Sequence, residues 1–497
     1  MTDRIDLGEI RLDGGYFLRR DGRTAPFAPL PDEGDYGHLV TYRNSPPTIR
    51  AALLDLVRTA RRKVFVASWF IGDAELTQAL IEAADRLRGG VYVISAIDSG
   101  SLRRGLKGLE EADNRDAAEH KRFDELCKAG IRVRGHENCH AKFAVADDEV
   151  AVVTSANFVT RAFKVTGESG VVVRDPRQAE RLGRLFARLW HERCTWELPL
   201  VPRDGLYTAG GHTPRKWPGK VVQPGLEPGV IWTDDDEHHI RRHLHDIIGG
   251  AREDLLLATW NLNASGDPGL LLDPVRAAAE RGTRVRILVR AFPDRATHRA
   301  EATALVEAGA EVYADTETHV KGAFADTDKG ALFSANFDAE HGMTSGVEVG
   351  CRLDGSPALA IARRFLDHMM TGADTDFVVD PRQRDLHDRM DRRCHWHLVW
   401  PLAREIEVAA DDHDWREFTL QSARGPVLYV GGAPRIDLLT NGGRWSLVPG
   451  ERYTLSRSQK PAVDPHRQLE SWFGRKGEGP HGICPAVLVR GTVGGLR

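Results

Sequence analysis

One pattern of polar residues occurs twice in this chain, in the same order and at matching spacing. It reads His140, Lys142, Asp147, Ser155 and Asn157 inside HAKFAVADDEVAVVTSANF, then His319, Lys321, Asp326, Ser334 and Asn336 inside HVKGAFADTDKGALFSANF. A glutamate trails each copy, Glu168 after the first and Glu348 after the second. The surroundings repeat as well. A helical period, IRAALLDLVRTARR, runs into the apolar stretch Val64 to Trp69, and IRRHLHDIIGGARED runs into Leu255 to Trp260. Each is followed by another helix and a second apolar strand, Val91–Ile97 in one half and Val285–Val289 in the other. Short apolar runs after helical periods read as buried strands of an α/β sheet. The chain is an internal duplication, with one insertion in the first half between about Asp98 and Arg122.

At 497 residues there is room for two or three domains. The expected boundaries are a first lobe with an N-terminal extension at 1–200, a Gly/Pro-rich linker at 201–229, a second lobe at 230–380 and a β-rich C-terminal domain at 381–497. The last is expected because short strand-like runs such as EFTLQSA, PVLYVGG and AVLVRGTV alternate there with Gly, Pro and Asn. The N-terminus has no apolar stretch of a signal peptide, and no run of apolar residues is long enough to span a bilayer. Six scattered cysteines without zinc spacing fit reduced thiols, so a cytoplasmic protein without stable membrane insertion is expected. Cys394, His395 and His397 are too few to argue for a metal.

The repeated residues suit the cleavage of a phosphodiester. That reaction needs a nucleophile, neutralisation of developing charge, and a proton for the leaving oxygen. Two histidines can divide the first and third tasks, one attacking phosphorus and the other serving as general acid and then base. Two lysines and two asparagines can hold the non-bridging oxygens without a metal or other cofactor. Spacing of i and i+2 puts each His and Lys on one face of an extended segment.

The pattern His-x-Lys-x4-Asp followed by Ser-x-Asn resembles the mark of the phospholipase D superfamily, over about Arg50 to Asp380. The resemblance implies two α/β/α sandwich lobes forming a pseudo-dimer around one active site. It implies His140 as the nucleophile, through a phosphohistidine, and His319 as the acid and base, although the sequence itself does not order the two. It implies Lys142, Lys321, Asn157 and Asn336 as phosphate ligands, with Ser155 and Ser334 in support. Glu168 and Glu348 correspond to carboxylates that orient the imidazoles, and Asp147 and Asp326 to structural residues. One departure is that Thr154 and Phe333, not glycine, precede the motif serines.

Basic residues follow the strands of both halves, Arg103 and Arg104 in one, Arg290 and Arg295 in the other, with Trp69 and Trp260 at strand ends. A basic rim with aromatics suits a polyanion in a groove. The expectation is therefore a nuclease on DNA or RNA, with a helicase or other defence or repair protein as a possible partner. The alternative is a phospholipase D or phosphatidyltransferase acting on phospholipid headgroups. The net charge of −4 argues for neither.

Overall fold

The computed structural model describes residues 14–20, 25–30, 34–97, 115–200, 209–221, 223–224, 227–292 and 295–380, and strand segments between 396 and 493. Two compact units divide it: residues 23–290 with 304–373 form one, and residues 1–22, 291–303 and 374–497 the other.

The larger unit holds both copies of the repeat. In the first half the elements are β1 (Tyr36–Thr41), α1 (Thr48–Thr59), β2 (Val64–Ser68), α2 (Ala74–Arg86), β3 (Val91–Ser95), α3 (Arg115–Lys128), β4 (Arg132–Gly135), β5 (Phe143–Ala146), β6 (Val150–Thr154), β7 (Glu168–Val173) and α4 (Pro176–Glu192). The second half has β8 (Gly229–Thr233), α5 (His239–Gly250), β9 (Asp254–Thr259), α6 (Leu272–Glu280), β10 (Arg284–Arg290), α7 (Ala296–Glu307, of which the residues up to 303 count with the smaller unit), β11 (Glu311–Asp315), β12 (Gly322–Ala325), β13 (Lys329–Phe333), β14 (Glu348–Arg352) and α8 (Pro357–Thr371). The two sheets repeat one strand order, β4-β3-β2-β5-β6-β7-β1 and β11-β10-β9-β12-β13-β14-β8. In each, the central strand runs parallel to one neighbour and antiparallel to the other: β2 pairs Val64 with Val91 and with Ala146, and β9 pairs Leu255 with Val285 and with Ala325.

The central strands are apolar throughout because helices cover both faces. On one side α1 lays down Ile49, Leu53, Leu56 and Val57, all nearly or fully buried. On the other, α4 opens with an Asp175 cap and Pro176 at its first turn and buries Leu182, Leu185, Phe186 and Leu189. This second face belongs to a core shared by the halves, in which Phe143 and Val153 join Phe324, Val349 and Phe365.

The motif aspartates explain themselves at this level. Asp147 and Asp326 sit in the tight turns before β6 and β13 with φ of 59° and 47°. Asp147 accepts hydrogen bonds from the backbone N–H groups of Arg61, Arg62 and Lys63 at 2.7–2.9 Å. Asp326 does the same for Arg252, Glu253 and Asp254 at 2.8–3.0 Å. Each carboxylate thus ties the hairpin to the link between the first helix and the central strand. Burial opposes their ionisation, but the three N–H donors outweigh it and hold both below the usual carboxylate range.

Thr154 and Phe333 are accommodated by glycines on the next strand, Gly170 and Gly350, which face them directly in register. A Cβ at Gly350 would lie 2.7 Å from Phe333 Cβ and 2.8 Å from the Leu332 carbonyl. A glycine thus stands opposite each of these residues across the ladder, behind the motif serines.

The smaller unit pairs Gly15–Arg19 antiparallel with Thr375–Val379. It also contains a four-stranded sheet (Trp396–Val399, Val487–Arg490, Ile436–Thr440, Gly443–Leu447) and a five-stranded one (Arg452–Thr454, Glu405–Ala410, Glu417–Ser422, Gly425–Gly431, Thr492–Val493). The C-terminal region is β-rich, as the run of short apolar segments implies.

Candidate active site

His140 and His319 lie in extended segments just before β5 and β12, and each segment is held by the other half of the chain. The His140 N–H donates to the Val347 carbonyl at 2.9 Å, and the His319 N–H donates to the Gly167 carbonyl at 2.7 Å. Parallel bridges join Cys139 to Val347 and Gly167 to Thr318. These contacts bring the start of β14 against the first histidine and the start of β7 against the second.

The glutamates at those strand starts consequently serve the opposite halves. Glu348 Oε1 lies 2.6 Å from His140 Nδ1, and Glu168 Oε1 lies 2.8 Å from His319 Nδ1. Behind them stand the motif serines of their own halves. Ser155 Oγ donates to Glu168 Oε2 at 2.5 Å, and Ser334 Oγ donates to Glu348 Oε2. Two relays result, Ser155–Glu168–His319 and Ser334–Glu348–His140, each crossing the boundary between halves. A carboxylate on Nδ1 fixes the ring and leaves Nε2 for the reaction.

Lys142 and Lys321 are fully buried, and each turns its ammonium toward the carbonyl of its own motif histidine, at 2.9 Å for Lys321. Asn157 and Asn336 each have a buried Oδ1 with no hydrogen-bond partner among the described residues. Trp69 meets His140 edge-on with ring centroids 5.1 Å apart, and Trp260 meets His319 likewise at 5.6 Å.

Burial dominates the electrostatics. It pushes Lys142 down to about 8 and Lys321 well below its ordinary value, against the pull of the two glutamates. Both lysines can regain full charge when an anion enters. Burial also lowers both histidines, His140 to about 4, with Glu348 acting in the opposite direction. The carboxylates differ. Burial raises Glu168 to about 7, only partly opposed by Lys321 and Ser155. For Glu348 the same penalty is outweighed by His140, Lys142 and Ser334, and it stays ionised below the usual range. The Glu168–His319 pair therefore keeps a proton near neutrality, whereas His140 faces a full carboxylate with its Nε2 lone pair free.

The structure brings together His140, Lys142, Ser155, Glu168, His319, Lys321, Ser334 and Glu348 through these contacts. Asp147 and Asp326 lie apart, in their turns. Of the expected basic rim, Arg103 and Arg104 fall outside the described residues. Arg290 ends β10, partly buried, and its charge acts on His319, Lys321 and Glu168. Arg295 belongs to the smaller unit, where it covers the Phe292 ring at 3.9 Å. Cys394, His395 and the side chain of His397 are likewise outside the description. Among the described residues no cluster of three or more His, Cys, Asp or Glu is arranged to hold a metal. Sequence reading missed Gly170 and Gly350, whose signal is a glycine two residues after each trailing glutamate.

A family model described as "Cardiolipin synthase, PLD-like domain" matches residues 53–190. Cardiolipin synthase B of Escherichia coli (strain K12) is 25% identical over 225 residues, covering 42% of this chain and 50% of the relative. Cardiolipin synthase B of Salmonella typhi is 24% identical over 310 residues, covering 58% and 70%. The chain thus spans about half the length of the first of these curated relatives. Among solved structures, phosphatidylserine synthase of Haemophilus influenzae Rd KW20 has the same fold, with a TM-score of 0.50 and 14% identity over 73% of this chain and 89% of the other.

These relatives are named for phospholipid synthesis, and they overturn the expectation of a nuclease with nucleic acid as its substrate and a defence or repair partner. The structure supplies the physical reason for that misreading. The two histidines and their supports suit any phosphodiester, so they carried no information on its kind. Of the rim that was read as a polyanion groove, Arg103 and Arg104 lie outside the described residues and Arg295 falls in the smaller unit, while Trp69 and Trp260 set their rings edge-on to the His140 and His319 imidazoles. No helix among the described residues is long and apolar enough to cross a membrane.

Proposed function

The chain belongs to the phospholipase D superfamily, an enzyme family of phosphodiester chemistry, and from that premise we propose that it transfers or releases phospholipid headgroups. The observation that carries the phosphodiester chemistry is the pair of crossed Glu–His dyads beside two buried lysines, a site that two different halves build once. The relatives' names support phospholipid as the substrate class.

In the proposed cycle His140 Nε2 attacks the phosphorus of a phospholipid, and the bond from phosphorus to the headgroup oxygen breaks. His319 delivers its proton to that oxygen, drawing on the proton that the Glu168 pair retains. Lys142, Lys321, Asn157 and Asn336 hold the non-bridging oxygens as charge builds on them. In the second half-reaction an alcohol, or water, gives its proton to His319 and attacks phosphorus, and the bond to His140 Nε2 breaks. Trp69 and Trp260 form apolar walls that keep bulk water from the two rings, and Arg290 adds positive charge on the His319 side. The enzyme works on headgroups from the aqueous side of the bilayer, as the expectation of a cytoplasmic protein implies.

The test is headgroup release or exchange from phosphatidylglycerol vesicles with glycerol or serine as acceptor. The wild-type chain should release glycerol or yield exchanged lipid, and the His140→Ala protein should do neither. No release by wild type, or equal release by His140→Ala, would sink the reading.

A further inference from the structure

Two threonines share a place in the repeat that none of the roles above uses. Thr41 is the last residue of β1 and Thr233 the last of β8. In the antiparallel ladders Thr41 pairs with Glu168, and Thr233 pairs with Glu348. Directly paired residues project from the same face of a sheet with Cβ atoms about 4.5–5.5 Å apart. Each threonine therefore stands beside a dyad carboxylate. Both are fully buried, and the Oγ1 of each has no hydrogen-bond partner among the described residues.

A buried hydroxyl without a partner is costly, so it is normally removed or satisfied. Here it persists twice. The strands themselves have diverged, GHLVT against GVIWT, and agree only at the first glycine and the closing threonine. Valine would fill the same space with no polar atom to bury. What the two sites have in common is the carboxylate across the ladder. Each glutamate spends its oxygens on one imidazole and one serine, which leaves lone pairs open to a further donor.

We propose that Thr41 and Thr233 are positioning residues, turning their hydroxyl protons to Glu168 and Glu348 when those carboxylates carry full charge. The inference rests on the dyad reading above. In that cycle the demand on each glutamate changes: the His140 ring becomes cationic when phosphorylated, and His319 loses and regains a proton. A hydroxyl rotor can follow such changes, whereas a fixed N–H cannot. Thr41 acts through Glu168 on His319, and Thr233 acts through Glu348 on His140.

Removing a donor makes its carboxylate a stronger acceptor, so the histidine it faces holds its proton more tightly. The test is NMR of histidine-labelled full-length protein, with His140→Ala and His319→Ala assigning the two Nδ1–H resonances. Thr233→Val should move the His140 resonance downfield and raise its titration midpoint by about one pH unit, leaving His319 in place. Thr41→Val should move only the His319 resonance. Thr41→Ser and Thr233→Ser should restore the wild-type positions. A merely structural role would alter the melting temperature and neither resonance, and unchanged resonances or a shift on the wrong histidine would overturn the proposal. Glu168→Gln and Glu348→Gln separate the two layers: if these leave their histidines unmoved, the dyad reading itself has failed.

Discussion

Replacing Glu348 by glutamine should disable a histidine in the opposite half of the chain, and the hydrogen bonds say how. Ser334 Oγ accepts from the Val349 N–H at 3.0 Å, so its own proton must go to Glu348 Oε2. In Glu348→Gln that proton holds the amide oxygen, and the amide NH2 turns to His140 Nδ1, 2.6 Å away in the parent. Nδ1 must then accept, which moves the ring proton to Nε2 and removes the attacking lone pair. Losing a hydrogen bond to a charged group costs about 1.5–3 kcal/mol, roughly tenfold to a hundredfold in rate. A wrong tautomer in a comparable carboxylate–histidine pair costs about 10⁴-fold. The expected loss in the attack step is about 10³–10⁴-fold. The assay is the burst of p-nitrophenolate from a p-nitrophenyl phosphodiester, whose leaving group needs no acid. Glu348→Gln should lose the burst. Glu168→Gln should keep the burst and lose the slow phase, because only the second step then needs His319. A burst lost in Glu168→Gln and kept in Glu348→Gln would refute the crossed pairing together with the assignment of roles.

Four further outcomes follow from the same structure. Burial lowers His140 to about 4 from an ordinary 6.5, so the burst rate should be level from about pH 8 to pH 5 and fall below it. The unfolded chain takes up this proton first, so the stability owed to neutral His140 is full above about pH 6.5 and declines toward pH 4, measurable by denaturant midpoints. Asp326→Ala removes the acceptor of three backbone N–H groups, two of them at exposed residues that water can reach, and should cost about 1–3 kcal/mol in urea unfolding, with the burst of the folded fraction unchanged. Gly350→Ala should cost about 1–3 kcal/mol in urea unfolding, by overpacking against Phe333 Cβ and the Leu332 carbonyl.

How much of this was legible beforehand differs by residue. The lobes were, because a buried central strand needs an uninterrupted apolar run, and Val64 to Trp69 and Leu255 to Trp260 supply one each. The structural part of the aspartates was legible in kind, as turn residues, but not the three amides each one gathers. Thr154 and Phe333 looked like a departure whose effect was open. Only the ladder register placed a glycine, Gly170 or Gly350, directly opposite each. The substrate was misread from arginines and tryptophans whose surroundings no spacing records.

The sequence by itself determined the duplication, the α/β class and the residue types of the site, since these follow from periodicity and from repeated local spacing. Which glutamate serves which histidine was decided by tertiary structure alone. Glu168 and His319, like Glu348 and His140, are far apart in the chain and meet only where backbone bonds between the halves align β7 and β14 with the opposite motif segments. The unequal protonation of the two carboxylates has the same origin: burial and the field of neighbouring lysines depend on where the folded chain places each charge, not on the order in which the charges are written.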